Sequence, residues 1–309
     1  MQIGFVGLGR MGANMVHRLR RDGDHEVVAF DPNATARASV EEFGAATVTS
    51  LEGLVPQLRA PRAVWLMVPS GKITEDALDT LLGLLDKGDT IVDGGNSNWH
   101  DTLARAARCR ERGVELVDAG TSGGIWGLSV GYCLMVGGDP GSVERLRPVF
   151  ETLAPPDGFL HTGPVGSGHY VKMVHNGIEY GMLQAYAEGF DVLHTSTSFP
   201  GLDLHAIAHL WNQGSVVRSW LLELAERAFE RDPGLEGLRG WVEDSGEGRW
   251  TIDEAMNLSV PTPVLALSLI ARYQSRQPDG FGNKVIAALR NEFGGHAVKS
   301  EDPPAAPST

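Results

Sequence analysis

The chain has 309 residues, of which 42% are hydrophobic, with 39 acidic side chains against 26 basic ones and two cysteines. That length allows two domains with separate cores, and a formal net charge of −13 argues against nucleic acid or anionic membrane as partners, while a few local arginines can still oppose the field around an anionic substrate. No apolar run is long enough to span a bilayer, the first strand begins without a signal peptide, and Cys109 and Cys133 form neither a CxxC pair nor a metal-ligand spacing, so the sequence predicts a cytoplasmic protein with reduced thiols and no metal.

After Met1, the run QIGFV has strand character and passes into GLGRMGANM, which contains Gly7-x-Gly9-x-x-Gly12 and continues as helix to about Arg20. A second strand, EVVAF, ends at Asp31, nineteen residues beyond Gly12. Glycines that allow a tight turn and close approach of backbone to pyrophosphate, a helix N-terminus behind them and an acid at the ribose position make a dinucleotide fingerprint. Asp31 favours NAD, because a carboxylate accepts from a free 2′-hydroxyl and repels a 2′-phosphate; the next cation is Arg37.

Further on, AVWLMV, TIVDGG, VELVDAG and CLMVGG each run into a turn of glycine or small polar residues, as in a doubly wound sheet with its ligand crevice at the strand ends. From Gly163 helix-length segments take over, at roughly Ser167–His194, Leu204–Arg231, Ile252–Gln274 and Gly282–Glu292. The fold expected is α/β: an N-terminal Rossmann-type NAD-binding domain over residues 1–162, an all-helical domain over 163–299, and a disordered tail, SEDPPAAPST, over 300–309.

Two strand-end turns carry candidate chemistry. DGGNS presents Asn96, an amide able to donate to and accept from a hydroxylated substrate. Thr121-Ser122-Gly123-Gly124 sets a hydroxyl beside two unobstructed backbone N–H groups, suited to a carboxylate. Each alone is more often an ordinary turn; both at strand ends of one Rossmann-type domain are harder to dismiss. In KMVHNGIEY, helical spacing aligns Lys172, His175, Asn176 and Glu179 on one face. An ammonium, imidazole, amide and carboxylate in one stripe suit the wall of an active site, with a base and an acid about 10 Å apart along the axis. The alternative is a solvated face with an intrahelical ion pair.

In order, GLGRMGANM, MVPSG, DGGNS, SGG, KMVHNGIEY and RNEFGGH resemble 6-phosphogluconate dehydrogenase (decarboxylating), in its shorter NAD-linked bacterial branch, from Met1 to about His296. The resemblance implies oxidative decarboxylation of 6-phospho-D-gluconate to D-ribulose 5-phosphate, as in the pentose phosphate pathway and gluconate utilisation. It implies NAD contacts from Gly7, Leu8, Gly9, Arg10, Met11, Gly12, Asp31, Met67, Val68, Pro69 and Asn96. Lys172 is implied as general base then acid and Glu179 as second acid. Asn96, Ser122, Gly123, Gly124, His175 and Asn176 are implied to bind the sugar-acid end. Tyr180 and Arg272 are implied at the phosphate, with Arg290 and His296 donated by the neighbouring subunit of a homodimer.

The chain departs from the longer members in having Ser245 before GEGRWT where they have a lysine, which leaves Arg249 as a candidate replacement, and in a shorter helical domain. Two rival functions stay open: a β-hydroxyacid dehydrogenase of the 3-hydroxyisobutyrate type, which performs no decarboxylation and has no use for Glu179 as an acid, and a catalytically silent NAD-sensing module.

Overall fold

The computed structural model describes residues 1–277, 279–294 and 297–299, and the chain divides into two compact units, Met1–Ile178 and Glu179–Thr309. The first unit is built on strands β1 (Gln2–Val6), β2 (Glu26–Phe30), β3 (Ala46–Val48), β4 (Ala63–Leu66), β5 (Thr90–Asp93), β6 (Glu115–Ser122), β7 (Cys133–Gly137) and β8 (Phe159–Gly163). Between them run helices α1 (Arg10–Asp22), α2 (Ala34–Glu41), α3 (Leu51–Leu54), α4 (Lys72–Leu82), α5 (Trp99–Glu111), α6 (Gly127–Val130) and α7 (Pro140–Leu153).

The strands lie in the order β3-β2-β1-β4-β5-β6-β7-β8, parallel throughout except for the antiparallel β6–β7 pair. The chain steps outward from β1 through β2 and β3, then returns to β4 on the other side of β1. This reversal opens a crevice at the carboxyl ends of β1 and β4. Side chains alternate across the sheet: Ile3, Phe5 and Trp65 enter one apolar layer with α1 and α7, while Val6, Val64 and Leu66 enter the other with α4 and α5. Both faces are covered, which is why these strands read as continuous apolar runs. Strands β3 and β8 had no counterpart in the sequence reading, nor had the reversed direction of β7.

Helix α8 (Ser167–His194) begins in the first unit and continues in the second, which adds α9 (Leu204–Asn212), α10 (Trp220–Arg231), α11 (Glu247–Asn257), α12 (Pro263–Ser275) and α13 (Phe281–Gly294). The expected single helix Leu204–Arg231 is two. Gly214 breaks it with φ +86, and Ser219 restarts it by accepting from the Leu222 amide at 3.1 Å. Ile252–Gln274 is likewise split, by Ser259 at φ +56 and by Pro261 and Pro263, since proline cannot continue a helix but suits its first turn. Phe190, Leu204, Ala208, Leu222 and Phe229 form the small core of this unit.

Among the described residues no helix is long and apolar enough to cross a membrane, and no group of His, Cys, Asp and Glu could hold a metal ion. Cys109 is buried and its thiol is pushed up to about 11 by that burial; Cys133 is exposed. The tail from Ser300, and His296, lie outside the described residues.

Candidate active site

The glycine turn leaves β1 with Gly7 at φ +93, where a Cβ would also lie 2.3 Å from the Met67 carbonyl oxygen. Only glycine fits both restrictions. A Cβ on Gly12 would lie 2.0 Å from the Gly7 carbonyl oxygen, so the first turn of α1 sits directly under the loop. Gly9 is the N-cap of α1 with no side-chain cap, and nothing lies within 4 Å of where its Cβ would be. The open helix start therefore presents bare N–H groups, with Arg10 and Met11 in its first turn, in a form suited to a pyrophosphate.

Asp31 directly follows β2 and braces this loop. Its Oδ2 accepts from the Leu8 amide and its Oδ1 from the Asn33 amide, each at 2.8 Å. Each carboxylate oxygen keeps a further lone pair for a ribose hydroxyl. Arg37, the first cation after β2, donates from Nη1 to the carbonyls of Asp31 at 2.8 Å and Pro32 at 3.2 Å, so its guanidinium is engaged with backbone.

Met67 and Val68, half-buried, and Pro69, exposed, follow β4. The Val68 carbonyl lies close to the next turn, 2.9 Å from a Cβ on Gly95. That turn, Asp93–Ser97, is tied by the buried Asp93, which accepts from the Gly95 amide at 3.1 Å and the Ser97 hydroxyl at 2.8 Å. Asn96 stands exposed at its tip. At the end of β6, Ser122 is half-buried and Gly123 and Gly124 adopt φ +129 and +51, which turns the chain away from its antiparallel partner Cys133.

Asp118, fully buried on β6, accepts from the amides of Gly166 at 2.6 Å and His169 at 2.8 Å, and so anchors the start of α8. Gly168 lets the helix touch the sheet: a Cβ there would lie 2.4 Å from the Met135 carbonyl. One turn further on, Lys172 packs over Gly120 and is only 7% exposed. Asn176 is buried too, and its Oδ1 lies 3.0 Å from His175 Nδ1. A solvated face is thus ruled out for Lys172 and Asn176. A lysine so far from water is costly as an ammonium unless polar groups surround it.

In the second unit, Tyr180 is buried with the Arg272 guanidinium 3.4 Å from its ring centroid. Its hydroxyl lies 3.3 Å from Ser245 Oγ, and a Cβ on Gly248 would meet the ring at 2.4 Å. Arg249 pairs with Asp244 and donates to the Tyr273 hydroxyl at 3.1 Å. Burial raises the Asp244 carboxyl, but the Gly246 amide and Arg249 outweigh it and hold it below the usual range. Arg272 also donates to the Glu243 carbonyl at 2.9 Å. Tyr180, Ser245 and Arg272 therefore stand together, with Arg249 one partner removed. Glu179 precedes Tyr180 on α8, seven residues after Lys172, and Arg290 is exposed on α13.

Residues 2–163 match the model of the NAD binding domain of 6-phosphogluconate dehydrogenase, and residues 168–281 match its C-terminal domain. The chain belongs to the 6-phosphogluconate dehydrogenase family. A relative from Haloferax volcanii, named 6-phosphogluconate dehydrogenase, NAD(+)-dependent, decarboxylating, is 45% identical over 98% of this chain and 100% of its own. The YqeC chain of Bacillus subtilis is also 45% identical, over 97% of this chain and 100% of its own. Among solved structures, the 6-phosphogluconate dehydrogenase of Plasmodium falciparum, studied with NADP+ and with 6-phosphogluconate, superposes with a TM-score of 0.82 at 26% identity, covering 100% of this chain and 67% of that one. Membership of this oxidoreductase family accords with the glycine turn, the reversal between β1 and β4 and the helical second unit.

The residues that sequence reasoning missed are the ones that hold others in place. Asp118 could have been noticed as a carboxylate inside an apolar strand. Arg105, on α5 behind the Asp93–Ser97 turn, gave no signal among five other arginines between positions 105 and 147.

Proposed function

We propose that the chain oxidises 6-phospho-D-gluconate and decarboxylates it to D-ribulose 5-phosphate with NAD as hydride acceptor, a step of the pentose phosphate type. The observation that carries this reading is Lys172, a buried lysine seated over Gly120 and followed on the same helix by His175, Asn176 and Glu179. The full-length likeness to the Haloferax relative named for this reaction supports it.

NAD fits the residues present: the uncapped start of α1 and the open face of Gly9 would take the pyrophosphate, and Asp31 the adenosine ribose. An acid here, with Arg37 engaged on carbonyls, favours NAD over NADP. When bound, NAD supplies the acceptor for the hydride of the alcohol carbon. Lys172, neutral at the outset, takes the proton of the C3 hydroxyl as that carbon is oxidised. The resulting β-keto acid loses its C1 carboxylate as CO2, and the electron pair of the broken bond moves to the C3 oxygen. Lys172, now the ammonium, stabilises the developing enolate oxygen and returns its proton there. Glu179 protonates the carbon that lost the carboxylate while the now neutral Lys172 takes back the proton of the enol hydroxyl, giving the ketose. Asn96, Ser122 and the amides of Gly123 and Gly124 suit the carboxylate and hydroxyls, and Arg272 beside Tyr180 suits the phosphate, so that remote binding orients the reacting carbon.

The active unit proposed is a homodimer. Helix α13 carries Phe281, Val285, Ile286 and Leu289, all exposed, on one broad stripe beside Arg290, a surface that association would cover.

The test is to supply 6-phosphogluconate and NAD and to measure NADH and CO2 together. Equal yields are expected. NADH without CO2 would leave a plain β-hydroxyacid dehydrogenase; neither product would leave a silent NAD-binding module.

A further inference from the structure

We propose that Arg105 is a positioning residue that couples the cofactor-side turn at Met67–Gly71 to the substrate-side turn at Asp93–Ser97, so that filling one orders the other. The role assigned to the second turn rests on the reading above; the coupling itself does not.

Helix α5 buries Thr102, Arg105, Ala106 and Cys109 on its inner face, and Ala106 and Cys109 belong to an apolar layer. Arg105 there is 1% exposed. A guanidinium so far from water persists only when charge and hydrogen-bond partners surround it. Its partners come from two directions. Nη1 donates to Asp93 Oδ2 at 3.0 Å and to Ser97 Oγ at 2.8 Å, which grips both ends of the turn that displays Asn96. Nε donates to Glu75 Oε1 at 2.7 Å, in the first turn of α4.

That first turn is itself knitted to the cofactor side. The Glu75 amide donates to the Gly71 carbonyl at 3.0 Å, and the Thr74 hydroxyl donates to the Pro69 carbonyl at 2.9 Å. One planar group with a fixed fork therefore spans two loops whose backbones already touch at Val68 and Gly95. This arginine holds two carboxylates, on separate segments, plus the hydroxyl that closes the second turn. Lysine in its place would offer a point charge that cannot hold the same three acceptors in the same directions.

The test uses backbone hydrogen exchange of the whole chain with and without NADH, in the wild type, Arg105→Lys and Glu75→Gln. NADH should slow exchange at Gly7–Gly12 equally in all three. At Asp93–Ser97 the protection it brings should be at least about fivefold weaker in both variants than in the wild type. Glu75 lies at the edge of the buried network, so Glu75→Gln keeps the test available if Arg105→Lys does not fold. In steady-state assays both variants should raise KM for 6-phosphogluconate about tenfold at saturating NAD, while Kd for NADH with no substrate present changes less than twofold, a split that general loosening of the fold would not produce. Equal protection of Asp93–Ser97 in the wild type and Glu75→Gln overturns the coupling. If the exchange result is as expected but the wild type does not turn over 6-phosphogluconate, the coupling stands and the assigned reaction fails.

Discussion

The side chain of Lys172 occupies the space above Gly120: a methyl group built on Gly120 would come within 2.5 Å of the lysine Cβ and 2.8 Å of the Gly168 carbonyl. Relief would require α8 to lift from β6, against the grip of Asp118 on its first turn. Gly120→Ala should cost about 1–3 kcal/mol of stability through overpacking and lower kcat by roughly a hundredfold or more, because sub-ångström placement of a base governs its rate. NADH affinity, measured by fluorescence titration, should stay within about twofold. A normal kcat in this variant would mean that the seat does not position the base.

Lys172 and Glu179 should separate in kinetics. Lys172→Ala should abolish NADH formation, a loss of roughly 10²–10⁴-fold or more for a group acting in both steps. Glu179→Ala should retain some oxidation while failing to protonate the enediol carbon. Rapid-quench analysis in which NADH appears ahead of ribulose 5-phosphate would show this, and substantial turnover by Lys172→Ala would remove the lysine from its role.

Cofactor choice should turn on Asp31 and Pro32. Replacing them with Asn and Arg takes away the charge that repels a 2′-phosphate and adds a partner for it. The preference measured as kcat/KM for NADP over NAD should move by roughly 1.5–3 kcal/mol, about 10- to 150-fold. Because Asp31 also accepts from the Leu8 amide, Asp31→Ala should loosen the glycine turn and weaken both cofactors. A wild type that already favours NADP contradicts the reading of Asp31.

Glu75 should leave a signature in acid. Burial pushes its carboxyl up, but Arg105 and Arg108 outweigh burial and hold it below the usual range. With a folded value below the unfolded one of about 4.3, the unfolded chain binds more protons in between, so stability rises with pH across that window. The contribution is complete above the unfolded value and fades as pH falls through the folded one. Tm of Glu75→Gln should therefore lie below wild type near neutrality and converge on it as pH falls through the folded value. A gap that stays constant with pH would assign the effect to packing.

Assembly can be tested by mixing. If Arg290, with His296 beyond the described residues, serves the neighbouring subunit, Arg290→Ala and Lys172→Ala chains should each be nearly inactive alone. Together they should regain activity, since one cleft of the mixed dimer has an intact lysine and an intact partner arginine. Confirmed subunit exchange without recovery would leave Arg290 as a surface residue.

What was legible in the sequence was whatever is encoded locally. The glycine turn and Asp31 could be read because their spacing follows from one strand, one turn and one helix. The stripe on α8 stood out because polar residues at that period are anomalous, and the helix bounds Ser167–His194 follow from the run itself. Strand β3, three residues long, lacks the length to show a pattern. The direction of β7 depends on how the short turns at Gly123–Gly131 lead back to β6, which composition does not record. Arg105 was illegible for a different reason. A charged residue on an amphipathic helix normally points to water, and only the fold reveals that this one points inward to partners on other segments.

The seat formed at Gly120 and Gly168 also bears on how such a chain can diverge. Drift at either site is closed to every side chain, the smallest included, so the location of the lysine is inherited as a fixture. The cofactor end is built differently, with Gly9 facing open space and Pro32 and Asn33 exposed beyond β2. Small changes there can therefore alter which dinucleotide fits, without touching the contact between Lys172 and Gly120 on β6 of the same sheet.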